Sequence, residues 1–218
     1  MAPALRRWFV PAVPLVLAVL LLFHPRGGDG RMFDGVSGAT ARWLVVHVGV
    51  AVLIGLLAVA VWMLLDGMRG RAATISRVAL LPFVAGFLVW EANAGIGTAV
   101  LVDYADGLPP GEREAVAGAV QELWSNPWVG EPSLFNAIGN LSWVVAMLGA
   151  AVAFSRAGAG RAVTALLALS SLFVFHALIA GSVALVCLAA AAFLVERARV
   201  QPAPAPVVPP NGVAPAGT

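Results

Sequence analysis

Apolar residues fall into long blocks along this chain, and charged residues collect in the gaps. The blocks cover 8–23, 43–65, 78–102, 133–154 and 162–195. Runs of about 20 apolar residues are what an α-helix needs to cross roughly 30 Å of hydrocarbon. The first four blocks each predict one transmembrane helix. The last, 34 residues without a charge, is ambiguous. As one helix it would be about 51 Å long; as a hairpin turning near Ala180, Gly181 and Ser182, each arm would be about 25 Å.

Arginine placement chooses between the two. Arg6 and Arg7 precede the first block, Arg69, Arg71 and Arg77 lie between the second and third, Arg156 and Arg161 follow the fourth, and Arg197 and Arg199 follow the last. Six helices put all of these on one side, as the positive-inside rule requires. Five would leave the last pair outside. The segment 103–132 carries Asp103, Asp106, Glu112, Glu114, Glu122 and Glu131 against Arg113 alone, which suits the outer side.

The expected fold class is therefore all-α: a polytopic transmembrane bundle of six helices, at 8–23, 43–65, 78–102, 133–154, 162–178 and 181–197. One short extracytoplasmic interfacial helix is expected at 110–126. Pro110 suits its first turn, and Glu112 and Glu114 favour the positive end of its dipole. Ala115, Val116, Ala119, Val120, Leu123 and Trp124 recur on one face, and Trp124 and Trp128 suit headgroup level. That helix either rests on lipid or forms a lid. A secretory signal is the rival reading of 8–23, but no small-x-small cleavage site follows, so a retained helix is expected. Residues 200–218, with six prolines and no charge, predict a disordered cytoplasmic tail.

Composition sharpens this picture. The chain is 61% hydrophobic and 11% charged, against about 25% charged in soluble domains. All 13 basic residues are arginine. Without lysine there is no Schiff base, which excludes a retinal protein. Cys187 is the one cysteine, so neither an intrachain disulfide nor a CxxC pair can form. No basic patch interleaved with aromatics suggests nucleic acid.

One charge breaks the pattern. Glu91 lies 14 residues past Arg77 and 12 before Asp103, about 21 Å and 18 Å from those boundaries at helical rise, near midplane. An ionised carboxylate there costs at least about 2.5–3.5 kcal/mol. It must be protonated, paired or facing water. Gly95 and Thr98 follow on its face. Gly95 with Ala99, Ala51 with Gly55, and Ala146 with Ala150 form small-xxx-small pairs that let helices approach closely.

Other polar groups fall towards the outer half: Asn93, Asn136, Asn140 with Trp143 one turn on, and the histidines His24, His47 and His176. The expectation is an outward-facing polar pocket with Glu91 as its floor and His47, His176, Asn93 and Asn140 as its walls, Trp143 and Thr98 adjoining. The plainer alternative is a protonated Glu91 bonded to an asparagine as interhelical glue. No HxxxH or HExxH spacing suggests a metal, and a b-type haem between His47 and His176 would need matching depth and facing. No metal and no cofactor are expected. No GxSxG or phosphate loop occurs, and no catalytic residue is assigned.

The strings "EANAGIGTAVLVDYADGLPPGEREAVAGAVQELW", "NAIGNLSWVVA" and "FHALIAGSVALVCLAAAAFLVERAR" resemble a set of multi-pass membrane proteins of high-GC bacteria that have no assigned function. The resemblance implies an integral membrane fold and carries no residue role. The chain is thus expected in a bacterial inner membrane with both termini cytoplasmic. Its partners would be the bilayer, a small apolar or amphipathic ligand, and a membrane-protein partner or further copies of itself. The leading function is binding of that ligand around Glu91. The alternatives are an accessory subunit of a larger membrane complex and a haem- or metal-bearing oxidoreductase.

Overall fold

The computed structural model describes residues 3–25, 30–175 and 179–200. The expected tail, 200–218, falls almost wholly outside them, as does His176. The described residues form helices α1 (Pro3–Leu22), α2 (Met32–Ser37), α3 (Thr40–Leu64), α4 (Arg71–Trp90), α5 (Thr98–Ala105), α6 (Pro110–Trp124), α7 (Leu134–Arg156), α8 (Arg161–Leu169) and α9 (Ile179–Val200). A π-helical segment, Glu91–Gly97, joins α4 to α5, and a 3-10 segment, Ser170–Phe175, follows α8. Among the described residues there is no strand. Among the described residues, five helices are long and apolar enough to cross a membrane: Ala4–Leu22, Thr40–Leu64, Arg71–Ala105, Leu134–Arg156 and Ile179–Arg199.

The fifth expected helix, 162–178, is shorter than the rest, whereas the sixth, 181–197, corresponds to α9. The apolar part of the fifth, Arg161–Val174, falls below spanning length. Ser170 and Ser171 donate to the carbonyls of Leu167 and Ala168 at 2.6 and 2.7 Å. These are bonds to the third residue back, and the chain tightens into 3-10 geometry there. Ala180, Gly181 and Ser182 are helical rather than a turn: they lie in the first turn of α9, where the Ser182 hydroxyl donates to the Ala18 carbonyl of α1 at 3.0 Å.

Small residues set the main contact, between α4 and α7. A Cβ added at Gly86 would lie 2.6 Å from the Gly139 nitrogen and the Phe135 carbonyl oxygen, so backbone meets backbone. The Ser76 hydroxyl donates to the Ala146 carbonyl at 2.6 Å, and Ala146 and Ala150 are fully buried. Gly55 behaves differently from its expected pairing. It lines an open groove of about 470 Å³ with Ala58, Trp62 and Ala85 on the outside of α3 and α4.

At one end of the bundle Arg6 donates to Asp66 at 2.7 Å, to Glu196 at 3.3 Å and to the Met63 carbonyl at 2.6 Å. Arg199 donates to Glu196 and to the carbonyls of Leu64 and Asp66. The start of α1 and the ends of α3 and α9 therefore share one end, the arginine-rich one.

The opposite end is capped. Phe33, Val36, Trp43, Ala99, Val102, Ala105, Ala117 and Val120 form a second core between α2, α3, α5 and α6. Helix α6 turns Ala117 and Val120 inward and leaves Ala115 and Ala119 exposed, so its packed face is rotated from the predicted one. Arg31 pairs with Glu114 to fasten the cap, and Trp128 stays exposed.

Candidate functional site

The π segment begins at Glu91. A π turn adds a residue and loosens the regular bond ladder, and such bulges recur at functional positions. Here the Gly95 carbonyl accepts from the Trp43 indole N–H at 3.0 Å as well as from the Thr98 backbone N–H. The π turn also brings Gly95 against α3. A Cβ on Gly95 would overlap the His47 ring and sit 2.9 Å from Glu91 Oε2. Only glycine lets the imidazole and the carboxyl approach the same point.

Both groups are buried: Glu91 is 2% exposed and His47 3%. The His47 ring stacks on Trp43, with centroids 4.6 Å apart and planes 20° apart. Its Nδ1 lies 2.8 Å from the Trp43 carbonyl oxygen, and its Nε2 lies 3.3 Å from His24 Nε2. The His24 Nδ1 is 2.7 Å from the Pro25 carbonyl oxygen. Burial pushes the His24 imidazole below its usual pKa, and the Pro25 carbonyl opposes that only in part.

His24 follows the end of α1 away from the arginine-rich end, and α1 is itself about as long as the hydrocarbon core is thick. The contact of His24 with His47 sets the depth of the site. Glu91 and His47 therefore lie towards the capped end of the bundle rather than halfway along it.

A second polar chain reaches towards Glu91. Glu131 accepts from the Asn136 amide at 3.2 Å, and Asn136 Oδ1 accepts from the Asn140 amide at 2.9 Å. Trp90 donates to Glu131, and Glu131 is near enough to Glu91 for their charges to interact. Burial raises the Glu131 carboxyl above the usual carboxylate range, with the Trp90 bond acting against it. Ser133 caps α7 by accepting from the Asn136 backbone N–H at 3.3 Å, which fixes where this chain starts.

Three buried oxygens in this region have no hydrogen-bond partner: Glu91 Oε2, Thr98 Oγ1 and Asn140 Oδ1. Buried polar atoms are nearly always satisfied, so these three acceptors set this region apart from the rest of the bundle.

Of the expected site residues, Glu91 and His47 come together. Thr98, fully buried, lies on the same continuous helix, and Asn140 ends the second chain. Asn93 instead turns back along its own helix and donates to the Val89 carbonyl at 2.7 Å. Trp143 belongs to the core: its indole donates to the Ser170 carbonyl at 2.8 Å and its ring packs on Phe83 and Phe173. His176 lies outside the described residues. The residues that sequence reasoning left out of the set are Trp43, His24, Glu131 and Asn136. Trp43 and Asn136 each stand four residues before a chosen one, a spacing that shares a helix face. Nothing local in the sequence ties His24 or Glu131 to the others.

Grooves of about 470 and 360 Å³ lie on the outer surface of the bundle and are lined by apolar side chains; neither reaches Glu91. Among the described residues no three His, Cys, Asp or Glu side chains converge as metal ligands. No family model, curated protein or solved structure matches the chain.

Proposed function

We propose that the protein is a bacterial inner-membrane protein that binds a small amphipathic molecule at Glu91, the molecule's polar end donating hydrogen bonds. The observation that carries this is the Glu91 Oε2 atom, buried without a partner beside the His47 ring. The unpartnered Asn140 Oδ1 is also an acceptor, and the Thr98 hydroxyl can accept as well. A ligand ending in an amine or hydroxyl complements that set, and its apolar body suits a bundle of this composition.

The same reading gives the chain six crossings, with both described ends of the chain cytoplasmic. In support, the α1 start and α9 end share the arginine-rich end, and α8 with its 3-10 extension would carry the chain between α7 and α9. That segment would reach about 25 Å, with the membrane thinned or the flanking Arg161 snorkelling to meet it.

The test is binding of a long-chain primary alkylamine, with the matching methyl ester as control, to the full chain in nanodiscs. The amine is expected to bind wild type and to lose at least tenfold in affinity in Glu91→Gln. Equal binding of amine and ester, or an unchanged affinity in Glu91→Gln, would overturn the reading.

A further inference from the structure

The His24–His47 contact fixes a proton count. Backbone carbonyl oxygens only accept. His24 Nδ1 therefore carries a hydrogen, donated to the Pro25 carbonyl, and His47 Nδ1 carries one, donated to the Trp43 carbonyl. Each neutral imidazole has a single N–H, so two neutral rings would turn Nε2 lone pairs towards each other at 3.3 Å. Two acceptors facing in a buried site repel. A third hydrogen between the Nε2 atoms turns the contact into a hydrogen bond and gives the pair one positive charge.

The surroundings suit that charge. Glu91, from the π segment, is the carboxyl next to the His47 ring across Gly95. Glu131, from the loop before α7, lies beyond it and interacts with Glu91. Arg42, on α3 itself, is exposed, and His47 is buried, so the arginine faces elsewhere. His176 lies outside the described residues. We infer that His24 and His47 bind one proton between their Nε2 atoms at neutral pH, with Glu91 as the counter-charge, making this a buried proton-binding site at the outer end of the bundle.

The roles within the pair follow from the position of the carboxyl. Glu91 Oε2 lies against the His47 ring rather than the His24 ring, so His47 is the imidazolium donor and His24 the neutral acceptor. Both Nδ1 atoms are tied to carbonyls, so the proton rests in the pair rather than passing through either ring. His24 is only half-buried and is the member that reaches towards the outer surface. Loss of the proton to outside water leaves two opposed lone pairs, and repulsion then drives the end of α1 from α3. Proton occupancy and the position of α1 are thereby coupled. The inference goes beyond the binding reading and survives its failure, because it needs Glu91 only as a charge.

The test is nitrogen NMR of the full chain in nanodiscs, with histidine ring nitrogens labelled and signals assigned by loss in His24→Gln, His47→Gln and His176→Gln. In wild type at neutral pH, three of the four His24 and His47 ring nitrogens should be protonated, with coupling across the Nε2 pair. Two protonated nitrogens, or an unprotonated Nδ1 in either ring, would overturn the proposal whatever the variants do. Glu91→Gln should lose the third proton; retention of all three would overturn the counter-charge assignment. Should that variant not fold, infrared spectra of carboxyl-labelled wild type decide the point, an ionised Glu91 supporting it and a protonated one refuting it.

Discussion

The two ends of the bundle treat buried polarity in opposite ways. At the arginine-rich end, Glu196 is 4% exposed yet carries two guanidinium partners, and Arg6 and Arg199 also donate to the free carbonyls at the end of α3. At the capped end, Glu91 is equally buried and its Oε2 has no partner. Buried ions that are paired and fully hydrogen-bonded act as fasteners, whereas a buried oxygen left open is a cost that folding alone does not explain. The contrast assigns structure to one end and chemistry to the other.

The sharpest way to break that contrast is Glu196→Ala. It leaves Arg6 and Arg199 without their buried anion and should destabilise the protein by about 3 kcal/mol. Thermal unfolding in detergent checks it, and a loss equal to that of an exposed surface pair would end the fastener reading.

Glu91→Leu should cost much less. Glu91 has an oxygen without a hydrogen-bond partner where Glu196 has two guanidinium partners, so its removal is expected to abolish amine binding with a far smaller loss of stability than Glu196→Ala. A large destabilisation instead would mean that Glu91 has a structural partner, and the two ends would cease to differ.

Ser76→Ala is smaller. It deletes the hydroxyl that bonds the Ala146 carbonyl between α4 and α7, and should cost about 1 kcal/mol with no change in binding.

The smallest effect separates the ends by pH. Asp66 is held below its ordinary value by Arg6. Its contribution is complete above the unfolded pKa of 3.8 and is lost as pH falls through the lower folded value. Glu131 is raised by burial, so the folded state holds its proton more tightly than the unfolded state does. Stability from Glu131 is greatest below the unfolded value of 4.5 and declines as pH rises through the folded one. Glu131→Gln should flatten that decline and Asp66→Asn should flatten the acid-side loss. Unfolding midpoints across the acid range would show whether the slopes have opposite signs.

The helical class and the five long apolar helices were legible because apolar length is nearly sufficient to define a membrane helix. The shortness of the segment after α7 was not, because Ser170 and Ser171 look like ordinary helix residues until their hydroxyls reach the third carbonyl back. Glu91 stood out as the one charge in an apolar block. Its partner His47 was reachable from depth arguments, but Gly95 as the point where they meet depends on the π turn, which spacing at 3.6 residues cannot reveal. His24 was placed at the end of its helix correctly, yet its contact joins residues 23 apart across a loop. Trp143 was drawn to the pocket by chain proximity, whereas the freed Ser170 carbonyl draws it into the core.

Helix α1 packs chiefly on α9, and the hydroxyl of Ser182 and the carboxylate of Glu196 both reach back to it. Two helices some 160 residues apart in sequence therefore depend on each other for a common seam. A variant lacking α9 would keep the Arg6–Asp66 pair but leave Arg6 without Glu196 and the Ala18 carbonyl without its hydroxyl donor.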